Sequence, residues 1–139
     1  SKCAIIHSKK FIMKSSTRVK LVQKIYEKTK NPEGLIDFGK DPFLRHIKKV
    51  FKGYFEKNSE LELLLSDNLS NNLNIKNLDL LLKIIIKSSI YELKYCNKIP
   101  FKVVIDQYLD VTGKFYGSDQ KRLVNGVLDS VAKARKQSI

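Results

Sequence analysis

The chain of 139 residues lacks the marks of several protein classes. Its only cysteines are Cys3 and Cys96, and neither belongs to a Cys-x-x-Cys pair. This excludes a disulfide framework and favours a reducing, cytoplasmic setting. No apolar run approaches the ~20 residues that cross a bilayer, so no membrane association is predicted. The segment 1–7 is too short for a secretory signal, although its Lys-rich surroundings leave an organelle transit sequence open.

Signatures of catalysis and of metal binding are also missing. There is no Gly-rich phosphate loop, and neither His7 nor His46 has a Cys or His at ligand spacing. Asp106 and Asp110 share a helical face, as an acid/base pair would, but no apolar pocket or metal-binding residue accompanies them in the sequence. The sequence therefore predicts a protein that is not an enzyme and that holds no cofactor.

Acidic residues are scarce towards both ends of the chain. Lys and Arg number 27 against 14 Asp and Glu, for a net charge of +13. Residues 1–58 carry 15 basic against 5 acidic side chains, and residues 113–139 carry 6 against 2, whereas the middle is close to neutral. A polyanion is the natural partner of such a distribution, with RNA or DNA ahead of a membrane surface. The alternative is a lysine-rich surface that reflects a biased genome composition.

The apolar residues recur at helical spacing, which predicts an all-α fold. A first helix begins at the hydroxyl cluster 15–17, whose oxygens can cap it, and ends at the Pro- and Gly-containing segment 31–34. Further amphipathic segments cover 43–55 and 61–69. The run 78–95 is apolar on most sides, which predicts a central helix covered by its neighbours.

The last part of the chain predicts two more helices. Pro100 suits the first turn of one of them. Gly113 and Gly117 flank a short turn, and Ser118 caps the final helix. Within that helix, Gly126 costs about 1 kcal/mol relative to Ala, which predicts close approach of another helix. The alternative is a backbone opening for a ligand.

Two basic segments are candidates for nucleic-acid binding. One precedes the first acidic residue, Glu27, and includes Lys9, Lys10, Lys14, Arg18 and Lys20. Lys14 and Arg18 are four residues apart, so both should project from one side of a helix. The other surrounds the turn at 116–119 and includes Lys114, Tyr116, Lys121 and Arg122. Free amides at the start of the last helix can bind phosphate, and Tyr116 can stack on an unpaired base.

Three sequence blocks carry a resemblance to a known family. They are Tyr-Glu-Leu at 91–93, Ile-Pro-Phe-Lys-Val-Val-Ile-Asp at 99–106 and Val-Asn-Gly-Val-Leu-Asp at 124–129. In this order and spacing they resemble the carboxy-terminal half of the bacterial NusB family of transcription antitermination factors. The resemblance implies one globular domain over 1–139, made of two small packed helix bundles. Residues 1–14 would then be a basic, flexible arm, while their composition alone leaves a targeting segment open.

The resemblance also implies a function and its partners. Members of this family bind boxA RNA together with the ribosomal protein NusE, as part of the RNA polymerase antitermination complex that transcribes ribosomal RNA. The basic arm and the turn before the last helix should then form one RNA surface, where Asp119 matches an acidic position of the family and would tune selectivity. The same domain also occurs fused to RNA methyltransferases, an alternative that applies if the chain is a fragment.

The sequence departs from the family at expected contact positions. Where the family has clustered arginines, this chain has Lys14, Ser15 and Ser16. Where the family has an acidic residue on the side that faces NusE, this chain has Leu82. The predicted partner-binding residues are Tyr26, Leu82 and Ile86. A monomer and a homodimer both stay open. The alternative function is a helical interaction module with weakened RNA recognition that self-associates through Leu82 and Ile86 or assists ribosome assembly.

Overall fold

The computed structural model describes residues 13–70 and 73–137, and every regular element in these ranges is helical. The helices are α1 (Ser15–Lys30), α2 (Leu44–Glu56), α3 (Asn58–Asp67), α4 (Leu80–Tyr95), α5 (Phe101–Phe115) and α6 (Ser118–Gln137). A short 3₁₀ helix, Ile75–Asn77, lies between α3 and α4. The predicted all-α fold is confirmed.

The central helix is α4, as its sequence predicted. It packs against all five other α-helices, with α2 and α3 on the amino-terminal side of the fold and α5 and α6 on the carboxy-terminal side. Helix α1 contacts α2, α4 and α5 and so belongs to both groups. Residues 84–86, three consecutive isoleucines, are fully buried, because an all-apolar helix surface can be satisfied only by neighbours on every side.

The tightest helix contact lies at Gly53 and not at Gly126, where the sequence predicted one. A Cβ atom on Gly53 in α2 would lie 2.1 Å from the ring of Tyr91 in α4, so only glycine allows this approach. Gly126 in α6 is exposed and has no atom within 4 Å of the position of its missing Cβ. The prediction of a helix packed against Gly126 is therefore wrong. The tight contact lies at a glycine whose neighbours gave no signal in the sequence.

Smaller features also differ from the predictions. Gly113 lies inside α5, so the turn before α6 is limited to Tyr116 and Gly117. Ser118 is the first residue of α6. At the start of α1 no side chain caps the helix, because the N-cap residue is Lys14, whose side chain has no acceptor. The hydroxyl of Ser15, the first helical residue, donates to Asp110 of α5.

Candidate nucleic-acid interface

The turn between α5 and α6 is built from short-range backbone hydrogen bonds. The amide of Tyr116 donates to the carbonyl of Thr112 at 2.9 Å, and the amide of Lys121 donates to that of Gly117 at 3.2 Å. These bonds close the last turn of α5 and open the first turn of α6. The start of α6 is consequently fixed next to the end of α5, with its free amides pointing out of the helix.

Tyr116 is the half-buried member of this turn. Its hydroxyl donates to the carboxylate of Asp79, the residue that precedes α4. Burial and this carboxylate raise the pKa of Tyr116 above its ordinary value. The ring is thus anchored to the central helix, and the predicted stacking on a base would have to use its remaining exposed part.

Four basic side chains around the turn are exposed to solvent. We call this group, together with Tyr116 and Asp119, the turn patch; its cations are Lys14, Lys114, Lys121 and Arg122. The side chain of Lys121 lies along α5, with its ammonium 3.5 Å from the position of a Cβ on Gly113. Arg122 pairs with Asp119, but both side chains are more than three-quarters exposed, so a phosphate can displace this pair at little cost.

Lys14 joins the turn patch through a contact between α1 and α5. The hydroxyl of Ser15 donates to Asp110, which lies one helical turn before Lys114. The exposed Lys14 directly precedes Ser15, so its backbone lies beside α5 near Asp110. Lys9 and Lys10 fall outside the described residues, so their part in this surface stays a prediction.

Arg18, predicted to project with Lys14, lies in the interior instead. It is 1% exposed, and its guanidinium donates to both carboxylate oxygens of Glu92, at 3.0 and 2.7 Å. Its Cζ lies 5.5 Å from the ring centroid of Tyr108. The prediction of a surface Arg18 is wrong because this residue continues the buried stripe of α1 that also holds Leu21 and Ile25.

Glu92 is the centre of a buried polar cluster that the sequence analysis missed. Besides Arg18, it accepts from the hydroxyl of Tyr108, and Nε2 of His46 lies 3.0 Å from its Oε1. Burial alone would raise the pKa of Glu92, but Arg18 and His46 outweigh it and lower that pKa to about 2. Burial raises the pKa of Tyr108. The one available signal was an acidic residue inside a segment that is apolar on most sides.

A second buried cation, Lys87, lies in α4. It is 3% exposed, donates to Glu62 at 2.8 Å and to Asn58, and lies 4.8 Å from the ring centroid of Tyr54. Burial lowers its pKa. Because its charge is compensated, Lys87 contributes to the packing of α3 on α4 and adds nothing to the basic surface.

The predicted partner-binding residues have different positions in the structure. Leu82 is 4% exposed and Ile86 is fully buried, so the prediction that they form a contact surface is wrong. They pack inside the fold because α4 is covered on all sides. Tyr26 is 37% exposed and stays available, with the ammonium of Lys30 lying 5.7 Å from its ring centroid.

The described residues offer neither a metal site nor a membrane-spanning helix. No group of three or more His, Cys, Asp or Glu side chains in these ranges could hold a metal ion. Nor does any helix there combine the length and apolar character needed to cross a bilayer.

Known proteins to which this chain is similar include several that share one name. It is 31% identical over 96 residues to "Transcription antitermination protein NusB" of Rickettsia massiliae, a match covering 69% of this chain and 62% of that protein. It is 33% identical over 84 residues to the protein of the same name from Bartonella tribocorum, covering 60% of this chain and 54% of that protein. The matches thus span less than two-thirds of these relatives.

The fold and the family both have direct support. The structure of T. maritima NusB aligns with a TM-score of 0.75 at 20% identity, over 91% of this chain and 100% of that one, which shows a shared fold. The profile of the NusB family matches residues 12–133. The chain therefore belongs to the NusB family, whose named relatives are transcription antitermination proteins and not enzymes.

Proposed function

We propose that this protein binds boxA-type single-stranded RNA through the turn patch, together with the ribosomal protein NusE, and promotes processive transcription of ribosomal RNA. It would act in the cytoplasm, within the antitermination complex of RNA polymerase. The observation that carries the proposal is the turn patch itself. Four exposed cations, one just before α1 and the others in α5 and α6, lie around a helix start and a tyrosine ring, on a member of an antitermination family.

Each component of the patch has a physical role in this proposal. Lys14, Lys114 and Lys121 neutralise phosphates, and the first amides of α6 donate to another. Asp119 repels phosphate unless it accepts from a base edge, so it favours RNA that offers such an edge at this point. The cations lie on three separate elements beside the ring of Tyr116, an arrangement that suits an extended strand whose unpaired bases can stack.

Partner binding is proposed on the one predicted partner-binding residue that is exposed. Tyr26 is exposed and lies near Tyr116: burial and Asp79 raise the pKa of Tyr116 most, and Tyr26 adds to that rise. Self-association through Leu82 and Ile86 has no support, because both are buried. We therefore retain Tyr26 as the candidate contact for NusE.

The test is a titration of boxA RNA and of a scrambled RNA of equal length, each with and without NusE, at low and near-physiological salt. We expect tighter binding of boxA, a further gain with NusE, and a steep loss of affinity as salt rises, because each neutralised phosphate releases counterions. Equal affinity for both RNAs, with and without NusE, would contradict the proposal and point to a general RNA-binding protein of ribosome assembly.

A further inference from the structure

Helix α2 carries a second basic surface that the turn patch does not include. Its buried face holds Ile47, Val50 and Tyr54, which pack into the core. The opposite face is exposed, and its residues occur at i, i+3, i+4 and i+7 spacing. We call this face the α2 stripe; it consists of Arg45, Lys48, Lys49 and Lys52.

The charges of the α2 stripe are mostly uncompensated. Arg45, Lys48 and Lys49 take part in none of the ion pairs between described residues, and only Lys52 pairs, with Glu56 at 3.8 Å. Like charges four residues apart on a helix repel each other. Packing does not require this repulsion, because any polar residue would serve on an exposed face. A bound polyanion would relieve it.

A depression at one edge of the α2 stripe extends the basic surface to another element. It has a volume of about 320 Å³, and its lining includes His46 and Lys49 of α2 and Lys98 of the loop between α4 and α5. Side chains from two elements therefore converge on a space that can hold a phosphate group. The stripe is thus a surface with a concave edge and not a single row of lysines.

The α2 stripe and the turn patch lie on different parts of the fold. Helix α2 packs against α1, α3 and α4, whereas the turn patch is built on α5, α6 and the start of α1. A short RNA that covers the patch would therefore leave the stripe free. An RNA that continues beyond the bound element could follow the surface and reach it.

We propose that the α2 stripe is a second RNA-binding surface, which contacts the phosphate backbone of nucleotides flanking the element bound at the turn patch. The proposal rests on the proposed function in taking RNA as the partner. An acidic protein is the weaker candidate, because the stripe itself consists of four charged side chains, whereas protein interfaces bury apolar and aromatic anchors at their centre. The ring of Phe38 beside the stripe lies 5.7 Å from the ammonium of Lys48 and packs edge-on against Phe51. Phosphates require only charge, so this surface should add affinity without sequence preference.

The experiment compares two triple variants with the same change in net charge. The first is Arg45→Gln/Lys48→Gln/Lys49→Gln. The matched control is Lys76→Gln/Lys102→Gln/Lys133→Gln, whose side chains are also exposed; Lys102 and Lys133 line a depression that contains Asp106 and Asp129. Each variant and the wild type are titrated with a boxA RNA alone and with the same RNA extended by flanking nucleotides, at several salt concentrations.

We expect the stripe variant to lose roughly 10–100-fold in affinity for the extended RNA near 0.1 M salt. The slope of log K against log salt should fall by about 2, because three phosphate contacts are lost and each contributes ~0.7 on a single strand. Binding of the short RNA and the preference over a scrambled sequence should not change, and the control should retain the wild-type slope. Equal slopes for both variants on the extended RNA would overturn the inference.

The result separates this inference from the proposed function. Loss of the boxA preference in the wild type would contradict the proposed function, while a stripe-specific change in slope would still support the second surface. If the wild type preferred boxA and the stripe variant bound the extended RNA as the wild type does, the second surface would be contradicted and the proposed function would stand. If the stripe variant instead lost binding to anionic vesicles and kept its RNA binding, a membrane surface would replace RNA as the partner.

Discussion

At the residue scale, the buried Arg18–Glu92 pair gives Arg18 a structural role. The sequence had made Arg18 the main candidate for phosphate binding. A basic side chain is expected in solvent unless a partner compensates it, and Glu92 is 74 positions away in sequence. No local pattern can indicate such a pairing. By contrast, exposure of Lys14, Lys114, Lys121 and Arg122 follows from local sequence alone, because each lies off the apolar stripe of its helix.

The first prediction concerns this pair. Glu92→Gln should lower the free energy of unfolding by about 3 kcal/mol at neutral pH, because it leaves the guanidinium of Arg18 buried without a counter-charge. The pKa of Glu92 is about 2 in the folded state against 4.5 in the unfolded chain. Its contribution is therefore complete above pH 4.5 and is lost as the pH falls from 4.5 towards 2. Urea unfolding between pH 7 and pH 2 measures both effects.

Asp106→Asn provides the control, since this carboxylate is exposed. It should leave the stability and its pH dependence almost unchanged. If Glu92→Gln unfolded at the same urea concentration as the wild type, with the same dependence between pH 4.5 and 2, the buried ion pair would not stabilise the fold.

At the element scale, the sequence predicted where the helices lie more successfully than what they contact. Apolar spacing placed α1, α2 and α4 within a few residues of their observed bounds, because the helical period depends only on near neighbours. The same pattern in α4 already implied burial on all sides. Assigning Leu82 and Ile86 to a partner surface conflicted with that prediction, and the structure decides for burial. Contacts at Gly53 required knowledge of the opposing helix.

The two glycines give a prediction for the α2–α4 contact. Gly53→Ala should destabilise the protein by roughly 1–3 kcal/mol, because the added methyl group overlaps the buried ring of Tyr91 and forces the helices apart. Gly126→Ala, in open space on α6, should instead stabilise it by up to about 1 kcal/mol. Thermal unfolding of both variants checks the signs. A Gly53→Ala protein as stable as the wild type would mean that the helices do not meet at this position.

At the scale of the whole molecule, the fold separates a neutral centre from basic surfaces. The buried charges of the core helix α4 are compensated, Glu92 by Arg18 of α1 and Lys87 by Glu62 of α3. Most cations of the turn patch and of the α2 stripe are exposed and form none of the ion pairs between described residues. The net charge predicted a polyanion partner but not where it binds, because charge along the chain does not show which cations are buried. Of the predicted phosphate contacts within the described residues, only Arg18 lies in the interior.

The central claim is that the turn patch binds RNA. The most direct measurement is the salt dependence of boxA binding for the patch variant Lys114→Gln/Lys121→Gln, compared with the control variant Lys102→Gln/Lys133→Gln. Both doubles remove two exposed charges. We expect the slope of log K against log salt to fall by about 1.4 in the patch variant, since two phosphate contacts are lost at ~0.7 each, and to stay at the wild-type value in the control. Identical slopes in the two variants would contradict the account.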